Sequence, residues 1–294
     1  MMRRTVLAAA AGAAMSAAGL SGGCVAPGGP TAEEKAALAA AREDYDSGRP
    51  VSAETRLNPL CDPRRPEPYG EALYLRALAR CAAVKGRSAA PGRSPDAVID
   101  AAREDLETAL RAPPPPENPD HHRLCHAALG HLHFFKRIPD YGRAVRHYRA
   151  ALPPEGEWAA KPDIDELLFY LGVAEQRSGD WDSASRHLRA VTTAFPSGRY
   201  DAKARKHLSA GAFTLQTGTF SQITNAAEQT NRLRGQGLPA VIEPKPSPAG
   251  TPVLHVVKCG RFRTYGEALA AVPAVKAALR VPGSTLDPEV VVVP

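Results

Sequence analysis

No glycine-rich phosphate loop, no Ser/His/Asp constellation and no zinc signature can be traced in these 294 residues. Each of those motifs needs particular residue types at fixed spacing, so their absence argues against nucleotide, triad and zinc chemistry. The chain reads as non-catalytic, with no cofactor and no metal expected. Charge of one sign is also lacking. The 37 basic residues are nearly matched by 31 acidic ones, for a formal net charge of +6, and Arg3 and Arg4 contribute part of that. Nucleic-acid binding calls for a clustered basic patch, and none is expected as a partner. Aromatic residues are few, at 6 %, whereas proline is abundant, with 28 residues. Alanine is also plentiful. Helices built from small residues pack closely, and proline punctuates between them.

What is present begins with the N-terminus. Arg3 and Arg4 give a positive start, Thr5 to Leu20 is uncharged and mostly alanine, and Ser21-Gly22-Gly23 places only small residues before Cys24. These are the physical parts of a secretory signal. With the cysteine directly after them, the segment resembles the lipobox of bacterial lipoproteins, although Ser21 stands where that family prefers Leu. The resemblance implies a signal peptide at 1–23, a diacylglyceryl group on Cys24, and a tether at 24–31. The protein would then face the periplasm from the cell envelope, held on the inner or the outer membrane. A plain cleaved signal and an uncleaved anchor stay open as alternatives. The Gly/Ser/Pro run from Ser21 to Pro30 ends the segment early for a membrane span, which needs about 20 strongly apolar residues. Of the remaining cysteines, Cys61 and Cys81 sit on successive expected helices. They could be bonded in an oxidising compartment or be small buried apolar residues.

The middle of the chain carries an internal repeat. Leu168-x-x-Leu171-Gly172-x-x-Glu175 is followed by Gly179-Asp180-Trp181, then Ala184-x-x-x-Leu188, Val191 and Pro196. Upstream, His126-x-x-Leu129-Gly130-x-x-His133, Asp140-Tyr141 and Ala144-x-x-x-Tyr148 repeat the spacing, closed by Pro153 and Pro154. The pattern resembles the tetratricopeptide repeat, in which small residues let two antiparallel helices approach. Weaker copies involve Leu75 to Pro114 and Ala37 to Leu57. After the best copy, a helix is expected over Asp201 to Thr217, a turn at Gly218-Thr219-Phe220, and a last helix to about Leu233. About five hairpins over 32–234 would stack, because each alone leaves an apolar face exposed. The resemblance implies a groove for an envelope protein partner, whose identity the sequence does not give.

Several polar groups invite a functional reading. Arg146, His147 and Arg149 recur in phase with Arg186, His187 and Arg189, and helical spacing turns these arginines outward. Stacked, they would make a basic strip able to contact anionic lipid or wall polymer, or simply a solvated face. His122 and His126 are four apart, as in a metal clamp, but no carboxylate or second cysteine completes a site, and His126 and His133 hold packing positions of the repeat. Asp163, Asp165 and Glu166 follow Pro162 at a helix start, where negative charge is favoured by the helix dipole.

The residues from Gly235 to Pro252 read as a Pro/Gly-rich linker, extended to roughly 50 Å at about 3.1 Å per residue. Beyond it, Val253 to Gly260 is a β-branched run typical of a strand, a helix is expected over Thr264 to Leu279, and a second strand over Glu289 to Val293. Val256-Val257-Lys258-Cys259-Gly260-x-Phe262, with Ala268 six residues on, resembles the SPOR domain of bacterial envelopes, in a truncated β-α-β form at 253–294. That resemblance implies binding of peptidoglycan glycan strands that have lost their stem peptides. His255, Lys258 and Arg261 would carry the sugar on an exposed sheet face, with Val256, Phe262 and Ala268 as core. The whole is expected to be mainly α, a tetratricopeptide-like helical-hairpin superhelix followed by a small α+β module. It would be a lipid-anchored scaffold touching both a protein partner and the wall. The alternative is an interaction lipoprotein of an envelope or outer-membrane assembly whose C-terminus is only a structural cap.

Overall fold

Capping side chains and prolines cut the chain into short helices. A computed structural model describes residues 30–64, 67–86, 94–136, 138–160, 163–245, 253–279 and 288–294. The expected signal segment and Cys24 lie outside them. Among the described residues no helix is long and apolar enough to cross a membrane. The described residues are mostly helical, with a small sheet near the C-terminus. The described residues up to Leu167 and those from Leu168 onward form two compact units.

The first unit is built from paired helices: α1 (Ala32–Asp46) with α2 (Pro50–Leu57), α3 (Gly70–Lys85) with α4 (Pro95–Ala109), and α5 (His121–Phe135) with α6 (Tyr141–Ala151). Their starts have local causes. Thr31 Oγ1 accepts from Glu34 N at 3.2 Å while Glu34 Oε2 accepts from Thr31 N at 2.8 Å, a reciprocal cap. Ser94 caps α4 ahead of Pro95, and Asp140 caps α6. Leu38, Leu57, Leu73, Leu75, Leu106 and Leu129 form one buried core. Buried charge is compensated within it. Asp105 accepts from Arg76 Nη2 and Arg80 Nη1, each at 2.6 Å, and Arg80 also reaches Glu54 at 2.9 Å, so the desolvated carboxylate is fully hydrogen-bonded.

The second unit starts within α7 (Ile164–Ser178), which forms a hairpin with α8 (Trp181–Ala194), followed by α9 (Asp201–Leu208). The expected helix over Asp201 to Thr217 ends at Leu208. It is replaced by strand β1 (Ala212–Phe220), so Gly218 lies within a strand rather than in a turn between helices. Then come α10 (Ile223–Gly235), β2 (Ala240–Lys245), β3 (Leu254–Phe262), α11 (Tyr265–Leu279) and β4 (Glu289–Val293). The expected linker is therefore partly strand, and only 246–252 of it lie outside the described residues. The four strands form one antiparallel sheet in the order β2-β3-β1-β4. This is a split β-α-β-β-α-β arrangement, twice the unit expected from the last segment alone. Pro244 is tolerated because β2 is an edge strand. Both helices of this domain pack on one face, over Phe213, Leu215, Val257, Cys259 and Ala268.

The two best repeat copies share internal geometry. In each, the capping aspartate donates its backbone N–H to the carbonyl of the matching residue of the preceding helix: Asp140 to His133 and Asp180 to Glu175, both at 2.9 Å. In each, the glycine admits a large side chain. A Cβ on Gly130 would lie 2.6 Å from the Tyr148 ring, and one on Gly172 would lie 2.6 Å from Leu188 Cγ. Gly172→Val is expected to lower stability by about 1–3 kcal/mol through overpacking. Gly142→Ala, whose new methyl meets nothing nearer than 3.7 Å, leaves it unchanged or raises it. Urea denaturation of both variants checks this, and equal midpoints would show that the glycine contact does not hold the hairpin.

Candidate functional site

The histidines of α5 and α6 are absorbed by packing. His122 Nε2 bonds Ala112 O at 2.8 Å, and His126 Nδ1 faces His147 Nδ1 at 3.1 Å, so His122 and His126 are engaged with different groups. His133 is buried and stacks on His147, with ring centroids 5.4 Å apart. In the second copy the matching pair is Glu175 and His187, hydrogen-bonded at 2.7 Å. His121 and Cys125 are both fully buried, with Nε2 and Sγ 3.7 Å apart. Burial pushes the thiol up to about 12 and the imidazole down to about 4. Both groups are therefore neutral, and the pair is not an activated nucleophile. Among the described residues, Cys61 and Cys81 are not joined by a disulfide. Arg146 and Arg149 on α6, and Arg186 and Arg189 on α8, are exposed.

The sheet offers a different surface. Side chains alternate along a strand. Val257 and Cys259 enter the core under the helices, so Lys258 between them points to the open face. Gly260 then breaks the alternation. Its φ is +75°, and the β1–β3 register shifts there, Leu215 facing Cys259 but Phe213 facing Phe262. A Cβ at this position would lie 2.4 Å from the Phe262 ring. This bulge inserts one extra residue, which returns Phe262 to the core and aims Arg261 to the open side. Thr214 Oγ1 fixes the bulge by donating to Gly260 O at 2.7 Å.

Lys258 and Arg261 thus lie on the open face and line the same cleft. His255 does not join them. It shares the side of Val257 and Cys259 and is paired with Phe220 and Pro244, so its expected place on the exposed face is corrected by the register. Ala268 and Phe262 are core. Val256 is buried, but its parity is that of Lys258. Lys258 is ion-paired with Glu243 of β2, and Arg261 Nη1 donates to Pro294 O at 2.6 Å. A cleft of about 600 Å³ lies on this face, lined by Thr214, Val241, Glu243, Lys258, Arg261 and Val293 among others. Thr214, Val241 and Glu243 belong to strands that sequence reasoning did not find. The Phe213/Leu215 alternation with Thr214/Gln216 was the available signal for β1.

The hairpin α7–α8 docks beside the sheet within the same unit. The Trp181 indole N–H donates to Arg263 O at 3.0 Å, its ring packs 5.3 Å from that of Phe213, and the Arg177 guanidinium sits 4.7 Å over Tyr265. Gly179, at φ +89°, brings the α7–α8 turn against Thr264. The extended 235–252 spacer, expected to hold the repeats away from the C-terminal module, is thus corrected.

Residues 209–284 match the family model of the SPOR domain. The match takes in β1, α10, β2, β3 and α11, and so begins well before Val253. It supports a peptidoglycan-binding domain of the cell envelope at the C-terminal end. No curated protein matches the chain.

The buried histidines make stability depend on pH. Burial holds His121, His131, His147 and His207 down at about 4, against an ordinary value of 6.5. The fold therefore keeps them neutral while the unfolded chain protonates them. Their contribution is complete above about pH 6.5 and is lost as pH falls from there toward 4. The thermal midpoint is expected to be lower at about pH 5 than at about pH 7.5, with a shallower drop in His147→Asn. Equal midpoints at the two pH values would contradict the assignment.

Proposed function

We propose that this protein is a lipid-anchored scaffold of the cell envelope. Its C-terminal domain holds peptidoglycan glycan on the open sheet face, and its helical hairpins stack in tetratricopeptide fashion to hold an envelope protein. The observation that carries the proposal is a coincidence of position. The SPOR match falls on a sheet that, among the described residues, is covered by helices on one face only, and Lys258 and Arg261 lie on the other. Glycan stripped of stem peptides exposes lactyl carboxylates, which a guanidinium and an ammonium suit. The lipid at Cys24 rests on the signal-like segment before it.

A second reading is favoured by the packing of Trp181 on Phe213 and Arg263. It makes the C-terminal domain a structural cap on the last hairpin, without sugar binding. Retention of the protein on peptidoglycan freed of stem peptides decides between the two. Arg261→Ala or Lys258→Ala is expected to lower retention about ten- to hundredfold, the scale of one charge-assisted contact of about 1.5–3 kcal/mol. Cys24→Ser moves the protein out of the membrane fraction without altering that retention. Retention by neither the unaltered protein nor the variants would favour the cap. Membrane association unchanged in Cys24→Ser would remove the lipid anchor.

A further inference from the structure

A second cleft of about 790 Å³ adjoins the sheet cleft, lined by the α7–α8 turn (Gly179 to Asp182), the start of β1, and Arg261 to Arg263. Both cavities are in the size range of ligand sites, about 300–1,000 Å³. Arg261 lines both, because the Gly260 bulge aims it off the strand. Two clefts that share one arginine suit a linear polymer lying across both better than a small molecule. The second cleft draws half its wall from outside the residues of the SPOR match, which begin at 209.

We infer that the hairpin α7–α8 completes the glycan site, taking the next sugars of the same strand in a cleft lined by Trp181, Asp182 and Arg263. This rests on the proposal that the sheet face binds glycan. The chemistry of the lining fits an acidic amino-sugar chain. Trp181 is half-buried and fixed, its indole N–H bound to Arg263 O and its ring packed on Phe213. A rigid aromatic body at a cleft presents apolar surface at little entropic cost, and the C–H faces of pyranose rings are apolar. Asp182 and Arg263 are exposed. A carboxylate accepts from sugar hydroxyls, whereas a guanidinium donates in a planar fork to carboxylates. With Arg261 lining both clefts, cationic donors succeed one another across them, as acidic residues succeed one another on a stripped glycan.

The test uses the full chain and stem-peptide-free glycan in two length fractions, one just long enough to cover the sheet cleft and one several times longer. The unaltered protein is expected to bind the long fraction more tightly. Arg263→Ala and Asp182→Ala, both at exposed positions, should remove most of that gain, about tenfold, while leaving short-fraction affinity and the melting temperature unchanged. Trp181→Phe keeps an aromatic ring beside Phe213 and should lose part of the gain. Variants that keep the full gain, or that lose both fractions alike, overturn the inference and leave the sheet-face reading standing. Failure of the unaltered protein to bind either fraction overturns both.

Discussion

The pairing of β1 with β3 is the contact on which the C-terminal half depends. It joins Ala212–Phe220 to Leu254–Phe262 at the centre of the sheet, with β2 attached outside β3 and β4 outside β1. Because α10 and α11 cover the same side, this one ladder creates both a core and an uncovered face. It is also irregular in two places, between Phe213 and Leu215 and between Gln216 and Gly218. The first irregularity, at Gly260, decides which way Arg261 points. A sheet with perfect alternation would have sent Arg261 toward the helices and left Lys258 without its neighbour.

The helical hairpins depend on a simpler constraint, close approach at glycine. Gly130 and Gly172 accommodate Tyr148 and Leu188 against the backbone of the partner helix, and an aspartate caps each second helix. The residues beside these positions differ between the two copies, yet each pair is in contact. Where one copy has stacked His133 and His147, the other has hydrogen-bonded Glu175 and His187. What repeats is therefore the close approach at glycine, while the chemistry at the seam differs between the copies. Trp181, in the turn of the last hairpin, is used for a different contact, on Phe213 and Arg263, so a repeat element also buttresses the sheet.

Local features were legible in the sequence. Small residues, capping aspartates and closing prolines marked the hairpins, and the β-branched run at Val253 to Gly260 marked β3. β1 was hidden because the helix formers of α9 run straight into Ala212-Phe213-Thr214-Leu215, where apolar residues fit helix and strand alike over so short a span. β2 was hidden by Pro244 and the prolines flanking the strand, which read as a linker, although a proline suits an edge strand. The face of His255 and the direction of Arg261 required the register, and register is a relation between distant segments that a single stretch of chain does not carry. Of the residues lining the open-face cleft, Lys258 and Arg261 belong to the strand that was recognised, whereas Thr214, Val241 and Glu243 came with the strands that were missed.

The central claim is that the side of the sheet left uncovered by α10 and α11 is the binding surface. Backbone amide shifts recorded while stem-peptide-free glycan is titrated into the protein test it most directly. The account predicts perturbations at Thr214, Gln216, Lys258 and Arg261, with α10 and the outward side of α11 undisturbed. Perturbations confined to those helices, or none at saturating glycan, would contradict it.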